Sequence, residues 1–382
     1  MEPNFSPPVL NLPKPLIDQA SCPLFQTRHQ GSLSLITTGF ELMKKIKNDL
    51  LCATSSIDML FYIIRNDAYG DTIVDLLIQK AQEGVRVRLL LDWIGSIFFH
   101  RKTIERLKKG GVQFSYSNRT VRAINKRNHR KITVIDDTIG YLGGFNIGKE
   151  YVSQIATYGY WRDFHLRLEG DGALTLKAQF LYDWYKATKK QDTYDIKYPN
   201  LKKGNLHFTL IGTNGSHVEN VYLTLFEQAK SEIMIATPYF IPTNRLLGAL
   251  LHACKRGIRV ILIVPYRNDH PLVGEAANFY FRPLLKSGAT IYRFIPGFFH
   301  TKATVIDRTL CDVGTSNFDL RSFFLNEEMN CIIEDASFTQ QVVYALHQDI
   351  LFSEPLTLEA ISRLSLLQKG KEKFALFLRR HL

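Results

Sequence analysis

Apolar and polar residues follow two alternating periods along this chain, and the same succession of periods occurs twice. Gly39 to Ala53 carries its apolar residues at helical spacing and predicts an amphipathic helix, and Ser56 to Tyr62 is an apolar run of strand length. Asp71 to Glu83 reads as a helix stopped by Gly84, the residue type favoured at helix C-termini; Val85 to Leu91 then alternates as a strand. A basic helix over Thr103 to Lys109 and a strand near Val112 to Tyr116 follow. The second half predicts strand Ile233 to Thr237, helix Leu246 to Lys255, strand Val260 to Val264, helix Gly274 to Lys286 and strand Thr290 to Phe294. Strands separated by helices imply an α/β protein with a parallel or mixed sheet.

The residues repeat along with the pattern. His129-Arg-Lys131-Ile-Thr-Val-Ile-Asp136 and His300-Thr-Lys302-Ala-Thr-Val-Ile-Asp307 both read H-x-K-x-x-x-x-D. Each His is followed fourteen residues later by a glycine opening a turn that ends in Asn: Gly143-Gly-Phe-Asn146 and Gly314-Thr-Ser-Asn317. Ala81-Gln-Glu-Gly84-Val-Arg-Val87 likewise parallels Ala253-Cys-Lys-Arg-Gly257-Ile-Arg-Val260. A period of about 170 to 177 residues is far above the solenoid range and implies two homologous domains. We place them at residues 31–195 and 205–363, with a Pro-rich lead-in over 1–30, a polar boundary near Lys189 to Gly204, and a basic, apolar tail over 364–382.

Composition narrows the setting. With 45% hydrophobic and 22% charged residues the chain is ordinarily globular. Five cysteines without a C-x-x-C pair read as reduced thiols of a cytoplasmic protein. No signal-type N-terminus and no run of 18 apolar residues is present, so a protein that does not cross a membrane is expected. A net charge of +12 calls for a polyanionic partner, either nucleic acid or an anionic membrane face. The tail could lie on lipid or pack as an ordinary terminal helix. Phe279-Tyr-Phe281 and Ile295 to Phe299 could rim a lipid entrance, although a core role suits most of these aromatics better.

Lys131 to Ile135 and Thr301 to Ile306 alternate with β-branched residues, so the motif segments predict strands in which His and Lys, two apart, share a face. Imidazole, ammonium and the amide donors of the Asn turn make a pocket for a phosphate. Two such pockets across a pseudo-two-fold axis allow one imidazole to attack a phosphodiester while the other protonates the leaving oxygen; Lys131, Lys302, Asn146 and Asn317 stabilise charge on the non-bridging oxygens. No metal ligands are spaced around either His, and no metal or other cofactor is expected. Asp136 and Asp307 complete the motif, either in the catalytic set or as ion pairs or turn caps that shape the site.

The paired motifs resemble those of the phospholipase D superfamily from about residue 30 onward. Tyr62-Ile-Ile-Arg65-Asn-Asp67, Tyr160-Trp-Arg-Asp163, Thr237-Pro-Tyr-Phe-Ile-Pro242, Asp269-His-Pro-Leu-Val273 and Asn317-Phe-Asp-Leu-Arg321-Ser322 are similar to those of bacterial cardiolipin synthases. The resemblance implies two phospholipase D-like domains, each a mixed sheet flanked by helices, with the active site between them. It also implies transfer of a phosphatidyl group between two phosphatidylglycerol molecules, releasing glycerol through a phosphohistidine. By analogy His129 is the nucleophile and His300 the acid and base; the residues themselves do not exclude the reverse order. The resemblance further pairs Asp163 with His300 and Glu328 with His129 as orienting carboxylates, Glu327 competing for the latter place. Family members typically begin with membrane helices; this chain resembles shorter members and is expected at the cytoplasmic membrane face, held peripherally by anionic phosphatidylglycerol and cardiolipin. Alternatives are a phospholipase D using water or other alcohols and, less well supported, a nuclease; no nucleic-acid partner is expected.

Overall fold

The computed structural model of the chain describes residues 26–119, 125–190, 204–215, 218–269, 272–363 and 366–378. The first half runs β1 (Gln26–Ile36), α1 (Gly39–Cys52), β2 (Ser56–Phe61), α2 (Ala68–Gln82), β3 (Arg86–Asp92), α3 (Arg101–Lys109), β4 (Gln113–Ser117), β5 (Ile132–Ile135), β6 (Ile139–Gly143), β7 (Tyr160–Arg162), β8 (His165–Gly170) and α4 (Gly172–Thr188). The second runs β9 (Leu206–Asn214), α5 (Val218–Gln228), β10 (Glu232–Ala236), β11 (Phe240–Ile241), α6 (Asn244–Lys255), β12 (Arg259–Pro265), α7 (Val273–Lys286), β13 (Thr290–Phe294), β14 (Gly297–Phe299), β15 (Ala303–Ile306), β16 (Leu310–Gly314), β17 (Phe318–Asp319), α8 (Leu320–Phe324), β18 (Glu327–Ile333), α9 (Ala336–Leu351), β19 (Ser353–Pro355), α10 (Leu358–Ser362) and α11 (Leu366–Leu378).

Fifteen strands form one sheet in the order β19-β13-β12-β10-β15-β16-β18-β9-β1-β8-β6-β5-β2-β3-β4. Its seam is the antiparallel pair β1 and β9, from Gln26 opposite Ile211 to Gly31 opposite Leu206. Outward from that seam β8 matches β18, β6 matches β16, β5 matches β15, β2 matches β10, and β3 and β4 match β12 and β13; among the described residues only β19, at the outer edge of the second half, has no duplicate in the sheet. The duplication is therefore expressed as a pseudo-two-fold axis through one continuous sheet.

Local chemistry repeats as well. Asp67 and Thr243 cap the equivalent helices α2 and α6, Asp67 Oδ1 accepting from the backbone N–H groups of Tyr69 and Gly70 and Thr243 Oγ1 from that of Leu246. Gly84 and Gly257, at φ +88° and +83°, turn the chain out of α2 and α6 in the left-handed region that a side chain would strain. On one sheet face each half keeps its own apolar core, Ile46, Leu77 and Leu89 under α1 and α2, Leu250, Leu262 and Leu284 under α6 and α7. On the other face a single core runs across both halves, joining Leu176 and Phe180 of α4 to Val342 and Leu346 of α9. Each such buried side chain contributes about 1.5–3 kcal/mol relative to exposure, so this shared layer fixes the halves against each other.

One expectation changes. The motif strands begin at Ile132 and Ala303, so the His-x-Lys segments precede regular strand and their alignment is not a product of alternation alone. Tyr280, Phe281, Phe298 and Phe299 are buried, whereas Phe279 and Ile295 are exposed. The described part of the tail is α11, docked on α7 through buried Ala375 and an ion pair of Glu372 with Arg282 (2.8 Å). Among the described residues no helix is long and apolar enough to cross a membrane. The lead-in over 1–25, most of the 189–204 boundary, Arg122, His270 and residues 379–382 lie outside the described residues.

Candidate active site

Each motif histidine is placed by the opposite half. The His129 N–H donates to the Glu327 carbonyl (2.9 Å), and the His300 N–H donates to the Arg162 carbonyl (2.7 Å). Phe298 and Phe299 pair with Trp161 and Arg162 in the parallel β14–β7 ribbon, and Asn128 makes the matching bridge to Glu327. The next residue along each opposing segment supplies a carboxylate: Glu328 Oε2 lies 3.0 Å from His129 Nδ1, and Asp163 Oδ2, just past the end of β7, lies 2.5 Å from His300 Nδ1. With Nδ1–H donated to a carboxylate, Nε2 presents its lone pair. The two rings line one cavity of about 530 Å3, together with Tyr62, Asn146, Trp161, Tyr239, Asn317 and Arg321.

The lysines complete the pattern. Lys131 Nζ donates to the His129 carbonyl (2.7 Å), and Lys302 Nζ donates to the His300 carbonyl, which folds each ammonium back beside its own histidine. Lys302 also stands 3.5 Å from Asp163 Oδ2. Burial brings Lys131 down to about 7 and lowers Lys302 as well. At both rings burial outweighs the carboxylates, lowering His129 and bringing His300 to about 4, where Lys302 adds to the effect. Burial alone would raise Asp163 and Glu328; Lys302 and His300 hold the first below the usual carboxylate range, and His129 and Lys131 hold the second there. An anion between the rings would favour a protonated imidazole.

Asn146 Oδ1 accepts from the Ile63 N–H (3.1 Å), whereas Asn317 Oδ1 is buried without a protein partner. Asp136 and Asp307, grouped with the catalytic residues by their motif, do not reach the rings. They sit beyond the four-residue strands β5 and β15, roughly 13 Å along the chain from the histidine end. Asp136 accepts from the N–H groups of Thr54, Ser55 and Ser56 (2.7–2.8 Å), and Asp307 from those of Lys230, Ser231 and Glu232 (2.7–3.0 Å). Both therefore cap the turn that enters β2 or β10, because unpaired backbone donors there need an acceptor. Glu327 is engaged elsewhere, paired with Lys186 and with Lys126 (3.4 Å), which leaves the His129 carboxylate to Glu328.

Sequence reading missed the supports behind the histidines. Arg130, within the first motif, is fully buried and holds Asp183 of α4 (2.8 and 2.9 Å) and the Glu328 carbonyl (3.1 Å). Its counterpart on the other side is Arg162, which pairs with Asp349 of α9 (2.8 Å) and the Thr37 carbonyl (2.8 Å). Asp183 and Asp349 sit on equivalent helices, but the arginine comes from the motif segment before β5 in one case and from the facing strand β7 in the other. Only their repeated carboxylates signalled the pair.

A duplicated sheet whose halves each hold the other's histidine against a carboxylate, over one polar cavity, defines a phospholipase D-like protein. The solved phosphatidylserine synthase of Haemophilus influenzae has this fold, with a TM-score of 0.73 at 17% identity over 92% of this chain and 95% of that one. A family model described as cardiolipin synthase, PLD-like domain, matches residues 46–156 and 222–350. The chain is 41% identical over 355 residues to the minor cardiolipin synthase of Bacillus subtilis, covering 92% of this chain and 89% of that protein. It is 38% identical to the major cardiolipin synthase of the same organism over 342 residues, 86% of this chain and 71% of that protein. The chain belongs to the cardiolipin synthase family of phospholipase D-like proteins.

Proposed function

We propose that the protein is a cardiolipin synthase that transfers the phosphatidyl group of one phosphatidylglycerol to a second and releases glycerol. The observation that carries this reading is the convergence of His129 and His300, each with its Nδ1 on a carboxylate of the other half, on a single cavity. In the first step His129 Nε2 bonds to phosphorus, the bond to the glycerol oxygen breaks, and protonated His300 gives that oxygen its proton. In the second, neutral His300 takes the proton of the acceptor hydroxyl, the new P–O bond forms, and the P–N bond breaks. Glu328 stabilises the positive charge His129 acquires, and Asp163 keeps His300 oriented through both transfers. Lys131, Lys302, Asn146 and Asn317 face the non-bridging oxygens. The protein works peripherally on the cytoplasmic face of an anionic membrane, and its units extend over residues 31–195 and 205–363.

The test is lipid product analysis by mass spectrometry after incubation with phosphatidylglycerol vesicles in EDTA, with His129→Ala as control. Cardiolipin and glycerol, absent from the variant, are expected. Phosphatidic acid and glycerol would make water the acceptor and the protein a phospholipase D, and a loss of product in EDTA restored by a divalent ion would overturn the metal-free scheme.

A further inference from the structure

We propose that the loop over residues 93–99 and helix α3 form the surface that seats this protein on an anionic bilayer, with Ile97 and Phe98 entering the headgroup layer and the basic residues of α3 lying over it. This rests on the lipid-transfer reading of the catalytic cavity and adds where the bilayer meets the protein.

Phe98 is 78% and Ile97 55% exposed, side by side at the tip of the loop between β3 and α3. A lone exposed apolar residue is unremarked on any surface, but two in sequence beside a charged helix form an amphipathic edge. Helix α3 follows at once and exposes Arg101, Lys102, Arg106, Lys108 and Lys109; Glu105 pairs with Arg101 (3.1 Å) and Asp75 of α2 with Arg106 (2.9 Å), which leaves the surface net basic through Lys102, Lys108 and Lys109. Charge complementarity therefore selects an anionic surface over a neutral one. The second half sharpens the contrast: among the described residues of the loop after β12, matching that after β3, Tyr266-Arg-Asn-Asp269 carries no two exposed apolar residues in sequence. Duplication of the fold does not require Ile97 and Phe98.

The loop is also built onto the wall of the catalytic cavity. Ser96 Oγ donates to the carbonyl of Tyr62 (2.9 Å), a cavity residue, and Gly95 lies so close that a Cβ there would stand 2.4 Å from the Tyr62 ring. Asn66 fastens the tip from both sides, donating to the Phe98 carbonyl (2.7 Å) and accepting from the His100 N–H (2.9 Å). Phe99, buried in the core, pins the base. A bilayer engaged by Ile97 and Phe98 thus lies against the rim of the cavity where a lipid phosphodiester must enter.

The double variant Ile97→Ser/Phe98→Ser removes exposed side chains only, so its fold is retained. Sedimentation with vesicles of phosphatidylglycerol in phosphatidylcholine is expected to fall roughly tenfold or more, and turnover on those vesicles to fall with it, while turnover on phosphatidylglycerol in detergent micelles stays within twofold. In Phe98→Trp, emission should shift to the blue and be quenched by brominated lipid only when the vesicles are anionic. Wild-type vesicle binding by the double variant, an equal loss on micelles and vesicles, or dependence on the exposed Phe374 and Phe377 of α11 instead would each overturn the proposal. So would a loss of self-association alone, which would assign the edge to a second copy. If wild-type protein binds anionic vesicles through this loop yet makes no lipid product, the surface stands and the reaction assigned above fails.

Discussion

The two half-sites share one frame and differ in what fills it. Around His129, Glu328 is embedded in neutral donors: Thr315 Oγ1 (2.6 Å), Ser322 Oγ (3.0 Å) and Asn326 Nδ2 (3.3 Å). Around His300, Asp163 has the Phe164 N–H (2.8 Å) and the Lys302 ammonium, and the ring itself is flanked by Trp161 and Phe298, at centroid distances of 5.2 and 5.6 Å. One side chain explains much of the exchange. Where the second half has Thr315, the first has Gly144, whose Cβ would stand 2.1 Å from Asp163 Oδ1. A glycine with the shorter carboxylate and a threonine with the longer one are two solutions to the same spacing. The difference teaches that duplication set the backbone positions while local side chains set proton affinity, holding His300 beside a competing cation and His129 beside none so close. That asymmetry supports the proposed roles, in which His300 releases and retakes a proton and His129 bonds phosphorus.

Removing either ring should erase the comparison altogether. His129→Ala and His300→Ala are each expected to lower turnover on the order of 10³-fold or more, with vesicle binding little changed, because the two act as a unit; appreciable turnover in either variant would show that one histidine suffices. Neutralising the carboxylates should separate the halves. Asp163→Asn leaves a buried ammonium without its counter-charge as well as a misoriented ring, so its kcat is expected to fall further than that of Glu328→Gln, by roughly tenfold, an electrostatic cost of the kind buried unpaired charges carry. Equal losses would mean that Lys302 does not depend on Asp163.

The Gly144 and Thr315 exchange predicts a subtler split. Gly144→Ala should displace Asp163 and lower kcat by about 10²-fold, as misplacement near reacting groups does, whereas Thr315→Val removes one donor to Glu328 and should cost about tenfold. Kinetics of the two variants on micellar phosphatidylglycerol decide between them; a harmless Gly144→Ala would mean the Asp163 carboxylate has room to move.

The smallest effect expected is on acid stability. Burial brings His300 to about 4 and His165, whose ring nitrogens are buried without partners, to about 3. The unfolded chain binds those protons near pH 6.5, so it holds more protons than the folded one between about pH 6.5 and 3. Stability therefore falls as pH drops through that window. Asp163 and Glu328, depressed in the fold, act in the same direction below the ordinary carboxylate range. Tm followed against pH should show this slope, and His165→Phe should flatten it; a flat profile in the native protein would contradict the burial argument.

Much of this was legible in the sequence because local rules governed it. Thr290–Phe294 has the same bounds in pattern and in structure, and Gly84 and Gly257 marked helix ends through a backbone requirement that few other residues meet. The histidines, lysines and asparagines of the site were visible through exact duplication of their spacing. What did not show was long-range: the linear motif left Asp136 and Asp307 between a catalytic place and a turn cap, and only the fold brings the backbone donors of Thr54 to Ser56 and Lys230 to Glu232 onto them. The Arg130–Asp183 and Arg162–Asp349 pairs escaped for the same reason, since their partners lie more than fifty residues apart and exchange which segment supplies the arginine. Exposure was equally silent; nothing in the residue order distinguished Phe98, at the surface, from Phe99 in the core.

The central claim is a covalent division of labour between the two histidines, and it is tested most directly by trapping. Wild-type protein mixed with phosphatidylglycerol, quenched in alkali within a turnover and digested, should yield a peptide carrying a phosphatidyl group on His129 and none on His300. A phosphatidyl group on His300, or on neither residue while cardiolipin still accumulates, would contradict the account.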